Sequence, residues 1–75
     1  SDEAGNLLRK EKTMIKEKIN KLQATISQYE NNLGFFRNSK NMGTLLQEVE
    51  QNLSRAKEEI EMLKQKLKLF SEAKQ

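Results

Sequence analysis

The stretch YENNLGFFRNSKNMG, Tyr29 to Gly43, interrupts an otherwise Lys-, Glu- and Leu-rich sequence of 75 residues near its middle. It holds two of the chain's three glycines and a pair of phenylalanines among small polar residues. A glycine in the left-handed conformation often ends a helix, and Asn, Ser and Thr side chains often cap the start of the next one. The stretch therefore predicts a turn over about residues 34–41, with Gly34 ending the first helix.

Apolar residues on both sides of this turn recur at alternating steps of three and four. In such a heptad repeat, lettered a to g, the a and d residues form one apolar seam along each helix. The first seam consists of Leu8, Ile15, Ile19, Leu22, Ile26, Tyr29 and Leu33, with Lys12 at one a position. The second consists of Met42, Leu46, Val49, Leu53, Ala56, Ile60, Leu63, Leu67 and Phe70. The spacing predicts two helices, over about residues 5–33 and 41–71.

If the chain folds back on itself at the turn, residues that face each other have numbers that sum to 75. Leu33 then faces Met42, every layer pairs an a residue with a d residue, and Lys18 comes near Glu59. We therefore expect an all-α fold, an antiparallel two-helix coiled-coil hairpin, which could dimerise into a four-helix bundle.

The amino-acid inventory excludes several classes of function. Without cysteine or histidine, the chain has no disulfide, no thiolate or imidazole metal site and no Cys or His nucleophile. It also lacks a glycine-rich phosphate loop, and two helices packed along one seam form no convergent pocket. We therefore expect no cofactor, no metal, no small-molecule substrate and no catalytic activity.

No apolar run approaches the roughly 18 residues that span a bilayer, and the N-terminus lacks the pattern of a signal peptide. We therefore expect a soluble segment with no membrane partner. The sequence begins at Ser1 without an initiator Met, which suggests a fragment of a larger protein. A single core of this size leaves only about 3–5 kcal/mol of net stability, so a protein partner or self-association is expected.

Four residues of the turn form a candidate interaction tip: Phe35, Phe36, Arg37 and Lys40. In one interpretation the phenylalanine rings fold over the end of the seam and exclude water from it, a role that we expect for Phe35. In the other, Phe36 is exposed beside Arg37 and Lys40 and binds a protein groove or an unstacked base. The sequence leaves both roles open for Phe36.

A second, smaller apolar stripe consists of Leu7, Met14, Met62 and Leu69. All four occupy c positions, which lie beside the g positions on one side of the hairpin. Scattered apolar residues are common on protein surfaces, but a two-helix hairpin cannot cover this edge by itself. We therefore expect a docking edge for a third helix, a second copy or another part of a larger protein.

Lysines concentrate toward the open end of the hairpin, where the candidate phosphate contacts are Lys10, Lys12, Lys16, Lys64 and Lys68. They indicate an RNA- or ribosome-contacting arm as the alternative function. An ordinary solvated helix surface explains them as well, because the net charge is only +3 and no aromatic residue lies among the lysines. We therefore prefer a structural or protein-interaction module, with nucleic acid as the second choice of partner.

Three segments carry a family resemblance: QYENNLGFF (Gln28–Phe36), NSK (Asn38–Lys40) and LLQEVEQNLSRAKEEIEMLKQKLKLF (Leu45–Phe70). Across about residues 7–70 the chain resembles the C-terminal coiled-coil tail of uncharacterised bacterial proteins that carry repeated copies of a helical domain of unknown function. The resemblance implies a bacterial, cytoplasmic accessory segment with no assigned activity. It transfers no functional residues.

Overall fold

The computed structural model describes residues 2–37, 40 and 43–73. This part of the chain is all-helical and contains no strand: helix α1 spans Glu3–Arg37 and helix α2 spans Gly43–Ala73. The two helices pack against each other as a helical hairpin, a rod of 62 × 14 × 12 Å. The predicted all-α class and the predicted hairpin are confirmed.

Every buried side chain that the structure describes belongs to one of the predicted seams. These core residues are Ile15, Ile19, Ile26, Leu33, Leu53 and Ile60. Partly buried residues of the same seams pack against the part of this core that is nearer the turn: Leu22, Tyr29, Leu46, Val49 and Ala56. Long helices in water depend on packing of this kind. The core is thin, because none of the described side chains is less than 2% exposed.

Helix α1 continues through Gly34 to Arg37, so the predicted helix end at Gly34 is wrong. A glycine inside a helix costs about 1 kcal/mol relative to alanine. Packing outweighs that cost, because the additional turn places Phe36 at a d position, where its side chain is half-buried. Met42, predicted as the first residue of the second seam, lies outside the described residues.

The predicted register of the two helices is also wrong. The Nζ of Lys57 lies 3.5 Å from a carboxylate oxygen of Glu30. If facing numbers summed to 75, Lys57 would be level with residue 18, twelve residues and about 18 Å along the axis from Glu30. That distance is beyond the combined reach of the two side chains. Leu33 and Leu53 also belong to one core cluster, although this register would hold them eleven residues apart.

The seven-residue repeat explains the error. Two heptad seams match again after a slip of seven residues, so their periodicity restricts the register to a few values without choosing among them. The predicted ion pair between Lys18 and Glu59 does form, with 3.1 Å between Nζ and Oε1. It does not fix the register, because both side chains are long. The lengths of the helices matter more, and α1 extends to Arg37 instead of residue 33.

Candidate interaction surface

Six large apolar side chains are exposed in the described part of the chain: Leu7, Met14, Phe35, Leu45, Met62 and Leu69. Counted from the seams, each of them occupies a c or a g position. The b and e positions hold no large apolar residue. Because c and g positions adjoin on one side of the seam, all six lie on the same side of the hairpin, which we call the c/g face.

The predicted docking edge is part of this face, and all four of its residues are more than half exposed. On α2, Met62 and Leu69 border a shallow apolar groove together with Gln65 and Lys66. The described part of the hairpin therefore presents an uncovered apolar edge. That another molecule docks there stays a prediction.

Charged groups lie between the apolar residues of the c/g face. The ion pair of Lys18 and Glu59 crosses from α1 to α2 within this face. Both side chains are substantially exposed, so the pair contributes less than about 1 kcal/mol. The Nζ of Lys66 lies 5.9 Å from the centre of the Phe70 ring, a distance at which an ammonium group is attracted to an aromatic face. The face thus combines apolar side chains with fixed charges of both signs.

The predicted interaction tip does not form one patch. Consecutive residues of a helix project about 100° apart, so Phe35, Phe36 and Arg37 point in three directions. Phe35, at a c position, is 78% exposed, and its predicted role of covering the end of the seam is wrong. Phe36 turns toward the seam instead and is half-buried there. Lys40 is exposed in the turn.

Arg37 lies on the side opposite the c/g face. It lines a shallow cleft with Glu50, Ser54 and Lys57 of α2, beside the ion pair that Lys57 makes with Glu30. Its position in the last turn of α1 also brings positive charge to the negative end of the helix dipole. Arg37 therefore stabilises this end of the hairpin and does not join the c/g face.

The predicted phosphate contacts lie away from the c/g face as well. They are Lys10, Lys12, Lys16, Lys64 and Lys68. Four of them are exposed at b, e or f positions, whereas Lys12 is half-buried at an a position of the seam. The Nζ of Lys64 lies 4.0 Å from a carboxylate oxygen of Glu61, which offsets part of its charge. The exposed lysines are spread over three heptad positions and do not converge on one point.

Comparisons with known proteins give no match, so a proposal about function has to rest on the surface of the hairpin itself. No protein-family model, no curated protein and no solved structure matches this chain. Within the described residues, no cluster of His, Cys, Asp or Glu could hold a metal ion. Neither helix, over the residues described, has an apolar stretch that would cross a membrane.

Sequence reasoning missed two residues of the c/g face, Phe35 and Leu45. The signal was present, because counting on from Leu33 puts Phe35 at a c position and counting back from Leu46 puts Leu45 at a g position. Ending α1 at Gly34 removed Phe35 from the count. Carrying the first heptad repeat one turn further would have found Phe35, whereas Leu45 already lay within the predicted second helix.

Proposed function

We propose that this chain is a structural, protein-interaction module without catalytic activity. In this proposal it is an antiparallel two-helix coiled coil whose c/g face docks onto another protein surface. One observation carries the proposal: all six exposed large apolar side chains of the described residues lie on this one face. Apolar residues gathered on one side favour an interaction site over chance exposure.

The two ion pairs between the helices support the antiparallel arrangement and limit its register. The numbers of Lys18 and Glu59 sum to 77, and those of Glu30 and Lys57 sum to 87. Long side chains bridge several residues along the axis, so the sum for facing residues falls between these two values. Seams that pair a with d residues allow 75, 82 or 89, and we infer a sum of 82.

A partner on the c/g face would stabilise the hairpin considerably. Removing apolar surface from water is favourable by about 25 cal/mol per Å². A core of this size supplies only about 3–5 kcal/mol on its own, so covering several exposed side chains adds a large fraction. We place the hairpin within a larger cytoplasmic bacterial protein, a part of the proposal that rests on the sequence resemblance alone.

Site-specific cross-linking tests the docking function. A photoreactive amino acid replaces Met62 on the c/g face, or Ser54, an exposed b residue on the opposite side, as the matched control. We expect the probe at position 62 to cross-link a discrete protein partner in cells and the probe at position 54 to give no such product. Equal products at both positions, or no product at position 62, would contradict docking through the c/g face.

An RNA- or ribosome-contacting arm is the second candidate. The observation that favours it is a set of exposed lysines, Lys10, Lys16, Lys64 and Lys68. RNA bound to these lysines would leave the c/g face uncovered. Binding through phosphates weakens steeply as salt rises from about 50 to 200 mM, because counterions are released. Fluorescence anisotropy with a short single-stranded RNA should show that dependence if this function is correct. No binding even at low salt would exclude it.

A further inference from the structure

Five of the six exposed apolar residues of the c/g face fall into two patches at opposite ends of the hairpin. The tip patch consists of Phe35 and Leu45, and the open-end patch consists of Leu7, Met14 and Leu69, whereas Met62 lies near the middle of α2. The face carries four cations and three anions, namely Lys18, Lys21, Arg55, Lys66, Glu11, Glu48 and Glu59. Because these charges nearly cancel, the face suits a partner whose own contact surface is nearly neutral, such as the same face of a second copy, better than it suits a polyanion.

The c and g residues of α2 complement a reversed copy of themselves. When α2 lies antiparallel to α2 of a second chain, with facing numbers that sum to 114, Leu45 meets Leu69 and Asn52 meets Met62. The charged residues then pair with opposite sign: Glu48 with Lys66, and Arg55 with Glu59. Neighbouring registers lose this match. A sum of 107 sets Glu48 against Glu59, and a sum of 121 sets Arg55 against Lys66.

The c residues of α1 are compatible with the same two-fold axis. With α1 antiparallel to α1 of the second chain and a sum of 49, Phe35 meets Met14 and Gln28 meets Lys21. The two-fold axis that relates the two copies then passes α1 between residues 24 and 25 and passes α2 at residue 57. These two points are level in a hairpin whose facing numbers sum to about 82, the register inferred above from the ion pairs. One axis therefore satisfies both helices.

We propose that a second copy of this chain covers the c/g face in reversed orientation, with the tip patch of each copy on the open-end patch of the other. The product is a four-helix bundle in which α1 packs on α1 and α2 packs on α2. This inference rests on the proposed docking function and names the partner. Glu48 of each copy pairs with Lys66 of the other, and these two symmetry-related pairs favour this register over its neighbours.

The contact area is enough for a modest interface. The two copies overlap over roughly 28 residues, or about 40 Å of helix, and the rod is 14 Å wide. Each copy thus contributes about 560 Å², and the total of about 1,100 Å² just exceeds the roughly 1,000 Å² of a specific interface. We therefore expect a concentration-dependent dimer that dissociates on dilution.

Charge reversal at one pair tests the inference by sedimentation equilibrium. Glu48→Lys places two like-charged pairs in the interface, and the dissociation constant should rise about tenfold. The double variant Glu48→Lys with Lys66→Glu restores opposite charges at unchanged composition and should recover most of the affinity. Circular dichroism confirms that each variant stays helical. A wild-type chain that stays monomeric at every concentration, or a double variant no tighter than the single one, would overturn the proposal.

Spin labels test the orientation. The chain has no cysteine, so Glu58→Cys and Glu72→Cys each carry one nitroxide. With the two-fold axis at residue 57, the labels at 58 lie close together, whereas those at 72 are about 45 Å apart along the axis. Similar distances at both positions would mean that the two tips lie side by side and would refute the reversed arrangement.

Together, the sedimentation and cross-linking experiments distinguish self-association from docking of the c/g face onto another protein. A monomeric wild-type chain that still cross-links another protein from position 62 would overturn self-association and leave the docking function standing. No cross-link to any protein, the chain itself included, would overturn both.

Discussion

Replacing Gly34 with alanine should raise the free energy of unfolding by about 0.5–1 kcal/mol. Gly34 lies inside α1, three residues before its end at Arg37. A Cβ atom built on Gly34 meets no atom within 4 Å, so the methyl group costs nothing sterically. Alanine loses less backbone freedom on folding than glycine, so the difference in helix propensity should be gained in full. For a domain of this size the melting temperature should rise by about 2–8 °C.

Thermal and urea unfolding followed by far-ultraviolet circular dichroism measure the effect. All variants are compared at one protein concentration, because self-association raises apparent stability. Ala24→Gly is the matched control, since Ala24 is exposed in the middle of α1 and its replacement should lower stability by a similar amount. A loss of stability in Gly34→Ala would refute the reasoning. Alanine is strained where a glycine adopts the left-handed conformation, and α1 would then end at Gly34.

Three further predictions, which use four substitutions, are tested by urea unfolding. Leu53→Ala should cost about 2–4 kcal/mol and remove most of the helical signal, because Leu53 is only 6% exposed; an unchanged midpoint would contradict its place in the core. Phe36→Ala should destabilise more than Phe35→Ala, since the ring of Phe36 is half-buried, and equal losses would argue against that difference. Lys12→Leu should raise the midpoint by filling the polar gap in the first seam, whereas a lower midpoint would place residue 12 outside it.

The sequence predicted the parts of the fold that depend on local periodicity. Ile15 and Ile60 are buried as their heptad positions require, because the side of a helix on which a residue lies follows from its spacing to near neighbours. The same rule identified Met14 and Met62 as exposed. The end of α1 could not be predicted in this way. A glycine stop signal competes with the packing of Phe36 against the other helix, and only the folded chain shows which of them prevails.

One additional turn of α1 accounts for the errors in both register and tip, and it adds Phe35 to the surface proposed for dimerisation. Moving the helix end from residue 33 to Arg37, and the start of α2 from about 41 to Gly43, raises the sum of facing numbers by six. The nearest slip that heptad seams permit is seven, which leads from 75 to the proposed 82.

The same turn keeps Phe35 in the helix, at a c position on the side that also holds Leu45. In the shorter hairpin, Met14 would be nearly level with Met62, and Leu45 would be the one residue of the six that the face still held near the turn. A compact patch at one end favours copies with their tips side by side. The longer hairpin has apolar residues at both ends and charges of both signs between them, and that distribution favours a reversed second copy.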